Sequence, residues 1–252
     1  MTTRIYIDTE TGASRRMDVA AHLAAKHYDA DKTPTQNAKA ATDALARTSL
    51  SATLAELHVV GLAIDEQEPI CMVQTHDGEA GLVRRFAEWC WDTLSWAHYP
   101  IEIWAYNAPF DRAILRVAAM RHRVRLPKTV HDIGRKPWES AWKCAMEPLR
   151  IDYRDNVSLA QACLAFGLGM GFDAAGDLPG SEVGAALARG ELERVAYHCA
   201  MDVRRLREVV RHIRAVDEVP EVPVDEARVQ RIMGAMKAPS IDLPGASEED
   251  GE

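Results

Sequence analysis

Four short apolar segments, set among longer amphipathic ones, constrain the fold that this chain can adopt. They are rich in β-branched and aromatic residues, as buried β-strands are. The segments are RIYID (4–8), LHVVGLAID (57–65), PICMVQTHD (69–77) and IEIWAYN (101–107). Three strands, a helical segment, a fourth strand and then helices predict an α/β fold, with a mixed β-sheet flanked by α-helices.

The remaining segments divide into helices and loops. Apolar residues recur at helical spacing in 79–97, 109–124, 158–168 and 190–213. A polar, alanine-rich stretch after the first strand, 12–54, is predicted to be a helical and loop insertion. Residues 125–157 show no clear period and are predicted to be irregular.

The negative charge of the chain is concentrated at its C-terminal end. The net charge is −8, and residues 217–252 hold ten acidic and three basic residues, so that they carry −7 of it. This segment is also proline-bearing, and such a composition buries too little apolar surface to fold. We therefore predict one domain over residues 1–216, which includes the 12–54 insertion, and an acidic, disordered tail over 217–252.

The sequence carries no membrane or secretion signal. No run of about 18 apolar residues is present, and MTTR leads directly into the first strand without an apolar signal region. The five cysteines are scattered and never spaced as C-x-x-C, which favours neither a zinc site nor a disulfide framework. The expected compartment is the cytoplasm, without membrane association.

Two acidic residues continue the first strand. Asp8 and Glu10 flank Thr9, and side chains at i and i+2 of a strand share a face. Two carboxylates side by side are unfavourable unless a cation lies between them. A D-x-E triplet also occurs by chance in turns and exposed loops, but here the apolar strand runs directly into it.

Two more acids and a histidine stand out on the predicted helices. Asp202 lies at the edge of the apolar stripe of the last helix, where a carboxylate needs a partner or a metal. His198 precedes it by one turn on the same side, whereas Tyr197 lies roughly opposite the stripe. Asp111 is in the first turn of the helix that follows the fourth strand. The alternatives are a favourable helix-dipole contact for Asp111 and an ordinary core hydrogen bond for His198.

In combination, these residues resemble the DEDD superfamily of 3′–5′ exonucleases, which has an RNase H-like fold. The resemblance is closest to the stand-alone relatives of the proofreading exonuclease domain of B-family DNA polymerases. It covers YIDTETG (6–12), ARTSLSATLAELHVVGLAID (46–65), YNAPFDRAIL (106–115) and LPGSEVGAALARGELERVAYHCAMDV (178–203).

The resemblance implies hydrolysis of phosphodiester bonds from 3′ ends, with release of 5′-mononucleotides. It implies two divalent ions, Mg²⁺ or Mn²⁺, bridged by Asp8. Glu10 and Asp202 would complete the first site, and Asp111 would act through water on the second. His198 would orient the attacking water and accept its proton.

The last motif departs from the family pattern. The tyrosine-type branch has a tyrosine four residues before the final aspartate, and the histidine-type branch has a histidine five residues before it. Here His198 stands four before Asp202 and Tyr197 five before it. Cys199 and Val203 align with the tyrosine-type pattern. That alignment and the helix position both favour His198 as the functional residue and Tyr197 as a packing or surface residue.

Four further residues are candidates for contact with the substrate. Phe110 could wedge against the terminal base or belong to the core. Asn107 could contact the sugar-phosphate or cap the following helix. Thr9 and Ser181 complete the set.

The expected partner is nucleic acid, with DNA favoured over RNA and single strands over duplexes; the sequence does not specify protein partners. Basic residues cluster in 116–128 and again after Asp202, where they can meet phosphates or form a solvated helix face. Two alternatives stay open. An RNA-directed 3′–5′ exonuclease would use the same residues, since these do not distinguish the sugars, and a catalytically degenerate domain would bind nucleic acid without cutting it.

Overall fold

A mixed β-sheet forms the centre of the chain. The computed structural model describes residues 2–95, 100–133, 136–152, 156–168 and 177–217. Within these, the strands are β1 (Thr3–Gly12), β2 (Glu56–Ile64), β3 (Ile70–Val73), β4 (Ile101–Ala105) and β5 (Trp142–Cys144). They lie in the order β3-β2-β1-β4-β5. β1 and β3 both pair antiparallel with β2, whereas β4 pairs in parallel with β1 and β5.

Helices cover both faces of this sheet. In the described ranges they are α1 (Met17–Lys26), α2 (Pro34–Ala46), α3 (Gly78–Ser95), α4 (Ala108–Arg121), α5 (Lys128–His131), α6 (Leu159–Ala165), α7 (Val183–Ala188) and α8 (Leu192–Asp217). The predicted class, an α/β fold with a mixed sheet flanked by helices, is confirmed. The arrangement is consistent with an RNase H-like fold.

The alternation of side chains along β1 separates two apolar layers. Ile5 and Ile7 are buried with residues of α3 and α4 on one face of the sheet. Tyr6 is buried with residues of α6 and α8 on the other face. Because successive side chains of a strand point to opposite faces, residues 8 and 10 of β1 follow Tyr6 towards α8.

The insertion after β1 is helical, as predicted. α2 begins at Pro34 because Thr33 and Gln36 form a capping box in which each side chain bonds the other residue's backbone N–H. A 3₁₀ turn, Arg47–Leu50, follows α2, and Thr11 Oγ1 donates to one of its carbonyls at 2.7 Å. The end of the insertion is thereby attached to the end of β1.

Two predictions about strands need correction. The first strand does not end at Asp8 but continues to Gly12, with a β-bulge between Glu10 and Thr11. Residues 125–157, predicted to be irregular, contain β5, which extends the sheet beside β4. The three-residue strand forms there because the Trp142 ring is buried in the core and its indole N–H donates to the Val130 carbonyl.

Contacts within the chain separate residues 1–215 from residues 216–252. Of the predicted tail, only Asp217, the last residue of α8, is described; the rest lies outside the described residues. None of the helices in the described ranges has the length and apolar character needed to cross a membrane.

Candidate metal centre

Acidic side chains from β1 and α8 meet at one place above the sheet. The ligand atoms of Glu10, His198 and Asp202 all lie within 4.8 Å of one another, and so do those of Asp8, Glu10 and Cys199. His198 Nε2 is 3.7 Å from Glu10 Oε1 and 3.6 Å from Asp202 Oδ2. The structure therefore brings together four of the five residues predicted to be catalytic.

A glycine on β2 allows α8 to approach the sheet this closely. Gly61 is the partner of Asp8 in the β1–β2 register. A Cβ atom at Gly61 would lie 2.7 Å from Cys199 Sγ, well inside contact distance. The Cys199 thiol also donates to the Asp8 carbonyl at 3.6 Å. Any larger residue at position 61 would have to displace the Cys199 side chain or the helix that carries it.

The carboxylates of this cluster are held in an environment that opposes their charge. Burial, followed by the charges of Asp202 and Asp111, raises the pKa of Asp8 well above its ordinary value. Burial, followed by the charge of Asp8, does the same to the pKa of Glu10. Asp8 Oδ2 is buried and has no hydrogen-bond partner among the described residues.

This donor set fits a hard divalent cation. Mg²⁺ and Mn²⁺ prefer carboxylate oxygens, and a buried carboxylate oxygen without a hydrogen-bond donor is what a metal ligand looks like before the metal binds. Asp8, Glu10 and Asp202 could hold such an ion through their oxygens.

Asp111 reaches the site from the opposite face of β1. It lies in the first turn of α4 and is buried, and Thr9 Oγ1 donates to its Oδ1 at 2.6 Å. Burial raises its pKa to about 7, although the Thr9 hydrogen bond acts against the rise. Its charge contributes to the raised pKa of Asp8, so the two carboxylates belong to one electrostatic unit.

His198 is buried, and its other ring nitrogen has a partner that the sequence analysis did not identify. Nδ1 lies 2.7 Å from Asp177 Oδ1, and the Asp177 side chain is only 1% exposed. Arg205, also 1% exposed, donates to Asp177 Oδ2 and to Asp202 Oδ1. The sequence did contain one signal, since Arg205 follows Asp202 at the i+3 spacing of helical ion pairs. Tyr197, in contrast, is 41% exposed on the outer side of α8.

The arginines after Asp202 are engaged in contacts within the protein. Arg205 and Arg207 are buried, and Arg207 donates to the Gln67 carbonyl. The other three are paired with acidic side chains: Arg204 with Glu68, Arg211 with Glu66 and Glu208, and Arg214 with Glu102. Because Arg205 and Arg207 are buried, these two side chains are not part of a solvated helix face.

Two cavities flank the cluster. One, of about 390 Å³, is lined by residues that include His198, Asp202 and Arg205. The other, of about 500 Å³, is lined by Thr9, Glu10, Thr11, Ala46, Arg47, Ser49, Leu50, Phe110, Gly180, Ser181, Val183 and Gly184. Three of the four predicted substrate contacts therefore share a cavity with Glu10. The fourth, Asn107, is exposed, lines neither cavity and makes no side-chain capping bond to α4.

Neither protein-family models nor curated proteins match this chain. The chemical interpretation of the site rests on the convergence of Asp8, Glu10, His198 and Asp202, with Asp111 behind them. Carboxylates that repel one another in a buried position, beside an imidazole and open cavities, are suited to hold a divalent cation against a bound substrate.

Proposed function

We propose that this protein is a divalent-metal-dependent 3′–5′ exonuclease that hydrolyses DNA from its 3′ end and releases 5′-mononucleotides. The observation that carries the proposal is a pair of ligand clusters that share Glu10, one with Asp8 and one with His198 and Asp202, together with an unpartnered buried oxygen on Asp8. The family resemblance supplies the reaction, and the geometry supports it.

The four carboxylates have separable tasks in this proposal. Asp8, Glu10 and Asp202 hold the metal, and Asp111 contributes charge from the α4 side. Bound divalent ions would supply positive charge at the scissile phosphate and lower the pKa of the attacking water. Like charges in a buried site are unfavourable without a cation. The substrate phosphate would add a further negative charge to this site, so metal binding should favour substrate binding.

His198 acts on the water rather than on the metal in this proposal. Its Nε2 stands 3.6–3.7 Å from the oxygens of Asp202 and Glu10, which is too far for direct hydrogen bonds. An imidazole nitrogen in that position can orient a water molecule and accept its proton as a general base.

The cavity of about 500 Å³ is the proposed site of the 3′-terminal nucleotide. Phe110 offers a ring for stacking on the terminal base, and Ser181 offers a hydroxyl to the sugar-phosphate. Arg47 and Leu50, from the insertion, line the same cavity and extend the set of candidate contacts.

Two other functions use the same residues. An exoribonuclease fits the site equally well, because none of the contacts is specific to deoxyribose. A degenerate module that binds nucleic acid without cutting it is less well supported. Keeping several buried carboxylates close together is unfavourable, and binding alone would not require it.

One experiment tests these alternatives together. End-labelled single- and double-stranded DNA and RNA are incubated with the full-length protein in Mg²⁺, in Mn²⁺ and in EDTA, and the products are resolved to single nucleotides. We expect stepwise release of 5′-mononucleotides from single-stranded DNA with metal and none in EDTA. Asp8→Asn, which keeps the shape of the side chain but removes its charge, is the inactive control.

Faster degradation of RNA than of DNA would replace the DNA proposal with the exoribonuclease. Binding without cleavage in either metal would leave the degenerate module. Release that continues in EDTA, or that survives Asp8→Asn, would exclude a metal-dependent reaction at this site.

A further inference from the structure

We infer that Asp177 is a positioning residue for His198, and that Arg205 joins Asp177 to Asp202 in one buried network that aims the imidazole at the reacting water. The inference rests on the proposed exonuclease function for its catalytic meaning. Its structural content, the state and orientation of the His198 ring, is independent of that function.

The first step concerns which nitrogen of His198 carries the proton. Asp177 Oδ1 lies 2.7 Å from His198 Nδ1 and also accepts the Leu178 backbone N–H at 2.8 Å. Burial acts to raise the pKa of Asp177, but its hydrogen bonds from Arg205 and His198 bring the pKa below the ordinary value. An ionised carboxylate can only accept hydrogen bonds. Nδ1 is therefore the protonated nitrogen, and Nε2 carries the lone pair.

The second step concerns where that lone pair is directed. Nε2 is the nitrogen that faces Glu10 and Asp202, at 3.7 and 3.6 Å. A general base needs an acceptor nitrogen on the side of the substrate, not a donor. The Asp177 contact thus selects the tautomer that the reaction requires, and it fixes the ring plane at the same time.

The third step concerns Arg205, which connects the orienting group to the proposed metal ligand. Its guanidinium donates to Asp202 Oδ1 at 2.6 Å and to Asp177 Oδ2. Asp177 therefore uses one oxygen for His198 and the other for Arg205. Asp202 uses Oδ1 for Arg205, which leaves its Oδ2 on the side of His198 and Glu10. One planar, buried cation sets the distance between the two carboxylates.

The network predicts an unusual result for the isosteric variant Asp177→Asn. A carboxamide has one acceptor oxygen and one donor NH₂ group. Two donors compete for the single carboxamide oxygen, the buried and charged Arg205 and the Leu178 backbone N–H. An NH₂ group facing a buried cation is the worse arrangement. We therefore expect the oxygen to face Arg205 and the NH₂ group to face His198 Nδ1, with loss of the Leu178 hydrogen bond. His198 would then accept at Nδ1 and carry its proton on Nε2. The substitution should reverse the tautomer instead of merely loosening the ring.

The direct test is nuclear magnetic resonance of the imidazole nitrogens in full-length protein labelled with ¹⁵N-histidine. The protein is kept in EDTA, without substrate, at a pH high enough for a neutral ring. The chain has nine histidines, and the His198 signals are assigned as those lost in His198→Gln. We expect the Nδ1–H tautomer in the wild type, the Nε2–H tautomer in Asp177→Asn, and a return to Nδ1–H in Asp177→Glu. Glu182→Gln, a neighbouring exposed acid, should leave the spectrum unchanged.

The kinetic test separates positioning from substrate binding. Asp177→Asn should lower kcat by about 10²-fold, the loss typical of a misplaced reacting group, with KM for single-stranded DNA unchanged. Asp177→Glu should recover part of kcat. In the His198→Ala background, Asp177→Asn should cause no further loss, because a positioning residue acts only through the group it positions.

Two results would overturn the inference: an Nε2–H tautomer in the wild-type spectrum, or a His198 signal that does not respond to Asp177→Asn. The expected tautomers without any nuclease activity would leave the positioning inference standing and reject the proposed function. Asp177→Asn protein that does not fold still leaves the wild-type and Asp177→Glu spectra as a complete test.

Discussion

Two enclosed glutamates, one on helix α3 and one on strand β1, have opposite surroundings. Glu79, in the first turn of α3, accepts hydrogen bonds from the Leu57 backbone N–H, from Arg121 Nη1 at 2.7 Å and from His122 at 2.6 Å. Glu10, on β1, has the imidazole nitrogen His198 Nε2 at 3.7 Å and the Asp8 carboxylate beside it. Their side chains are similarly enclosed, with 7% and 13% exposed.

The pKa values of the two residues record this difference. Burial acts to raise the pKa of Glu79, but the hydrogen bonds from Leu57, His122 and Arg121 lower it overall. Burial and the charge of Asp8 both raise the pKa of Glu10, and no hydrogen bond is among the causes that oppose the rise. A buried carboxylate with a full set of donors connects parts of the fold, here β2 with α3 and α4. One that faces other carboxylates is suited to bind a cation.

The largest expected effect comes from making the same substitution in both regions. Glu10→Gln removes a proposed metal ligand and should abolish mononucleotide release, whereas Glu79→Gln should retain the wild-type kcat at temperatures where it is folded. Initial rates on end-labelled single-stranded DNA with saturating Mn²⁺ measure both. Comparable rates for the two variants would show that Glu10 is no more important for catalysis than Glu79.

The second-largest effect is expected from substitutions of the histidines in the two regions, His198 and His122. His198→Ala should lower kcat by about two to four orders of magnitude, the usual range for loss of a general base, while binding of Mn²⁺ persists because the carboxylates remain. His122→Ala, which alters only the Glu79 network, should leave kcat unchanged. Tyr197→Phe should be silent, since this ring lies on the outer side of α8. A silent His198→Ala with an inactive Tyr197→Phe would reverse the assignment.

The free energy of unfolding should respond in the opposite order, with a larger loss for Glu79→Gln than for Glu10→Gln. Glu79→Gln leaves Arg121 without its buried ionic partner, and breaking such a pair costs about 3–5 kcal/mol of unfolding free energy. Glu10→Gln removes a charge that its neighbours oppose, so in EDTA it should not destabilise the protein. Urea unfolding of both variants in EDTA measures the difference. A larger loss for Glu10→Gln would show that Glu10 is structurally paired after all.

The smallest expected effect is a dependence on pH. The pKa of Asp111 is raised to about 7 in the folded state, so its contribution to stability is complete below its unfolded pKa and is lost as pH rises towards 7. For Glu79, whose pKa is lowered, the contribution is lost as pH falls. In EDTA, Asp111→Asn should therefore gain stability relative to the wild type as pH rises from 3.8, the ordinary pKa of an aspartate, to about 7. Saturating Mn²⁺ should remove that gain, and a gain that persists with metal would argue against a cation beside Asp111.

The elements with long apolar periods were predictable from the sequence, and the short ones were not. β1 to β4 and the helices α3, α4, α6 and α8 follow from patterns that extend over several residues. β5 was missed because three residues cannot establish a period, and only the burial of the Trp142 side chain makes them a strand.

The residues of the candidate site also divide into those that the sequence predicts and those that it does not. Asp8 and Glu10 follow from their place on β1, and His198 and Asp202 from their spacing on α8. Asp177 could not be predicted as the partner of His198, because it lies in a loop 21 residues away and no periodicity connects the two. The burial of Arg205 could not be predicted because it stands in a run of five arginines, and the sequence does not show which of them are enclosed.

The contact between the Cys199 thiol and the Asp8 carbonyl joins residues that are 191 positions apart. Contacts of such separation form late in folding, because the chain must lose much of its freedom before they can stabilise it. During synthesis the N-terminal part of a protein leaves the ribosome first, so β1 carries its acids through most of translation without α8 above them. If the proposed function is right, the site would be incomplete, and the protein inert, until α8 had been made.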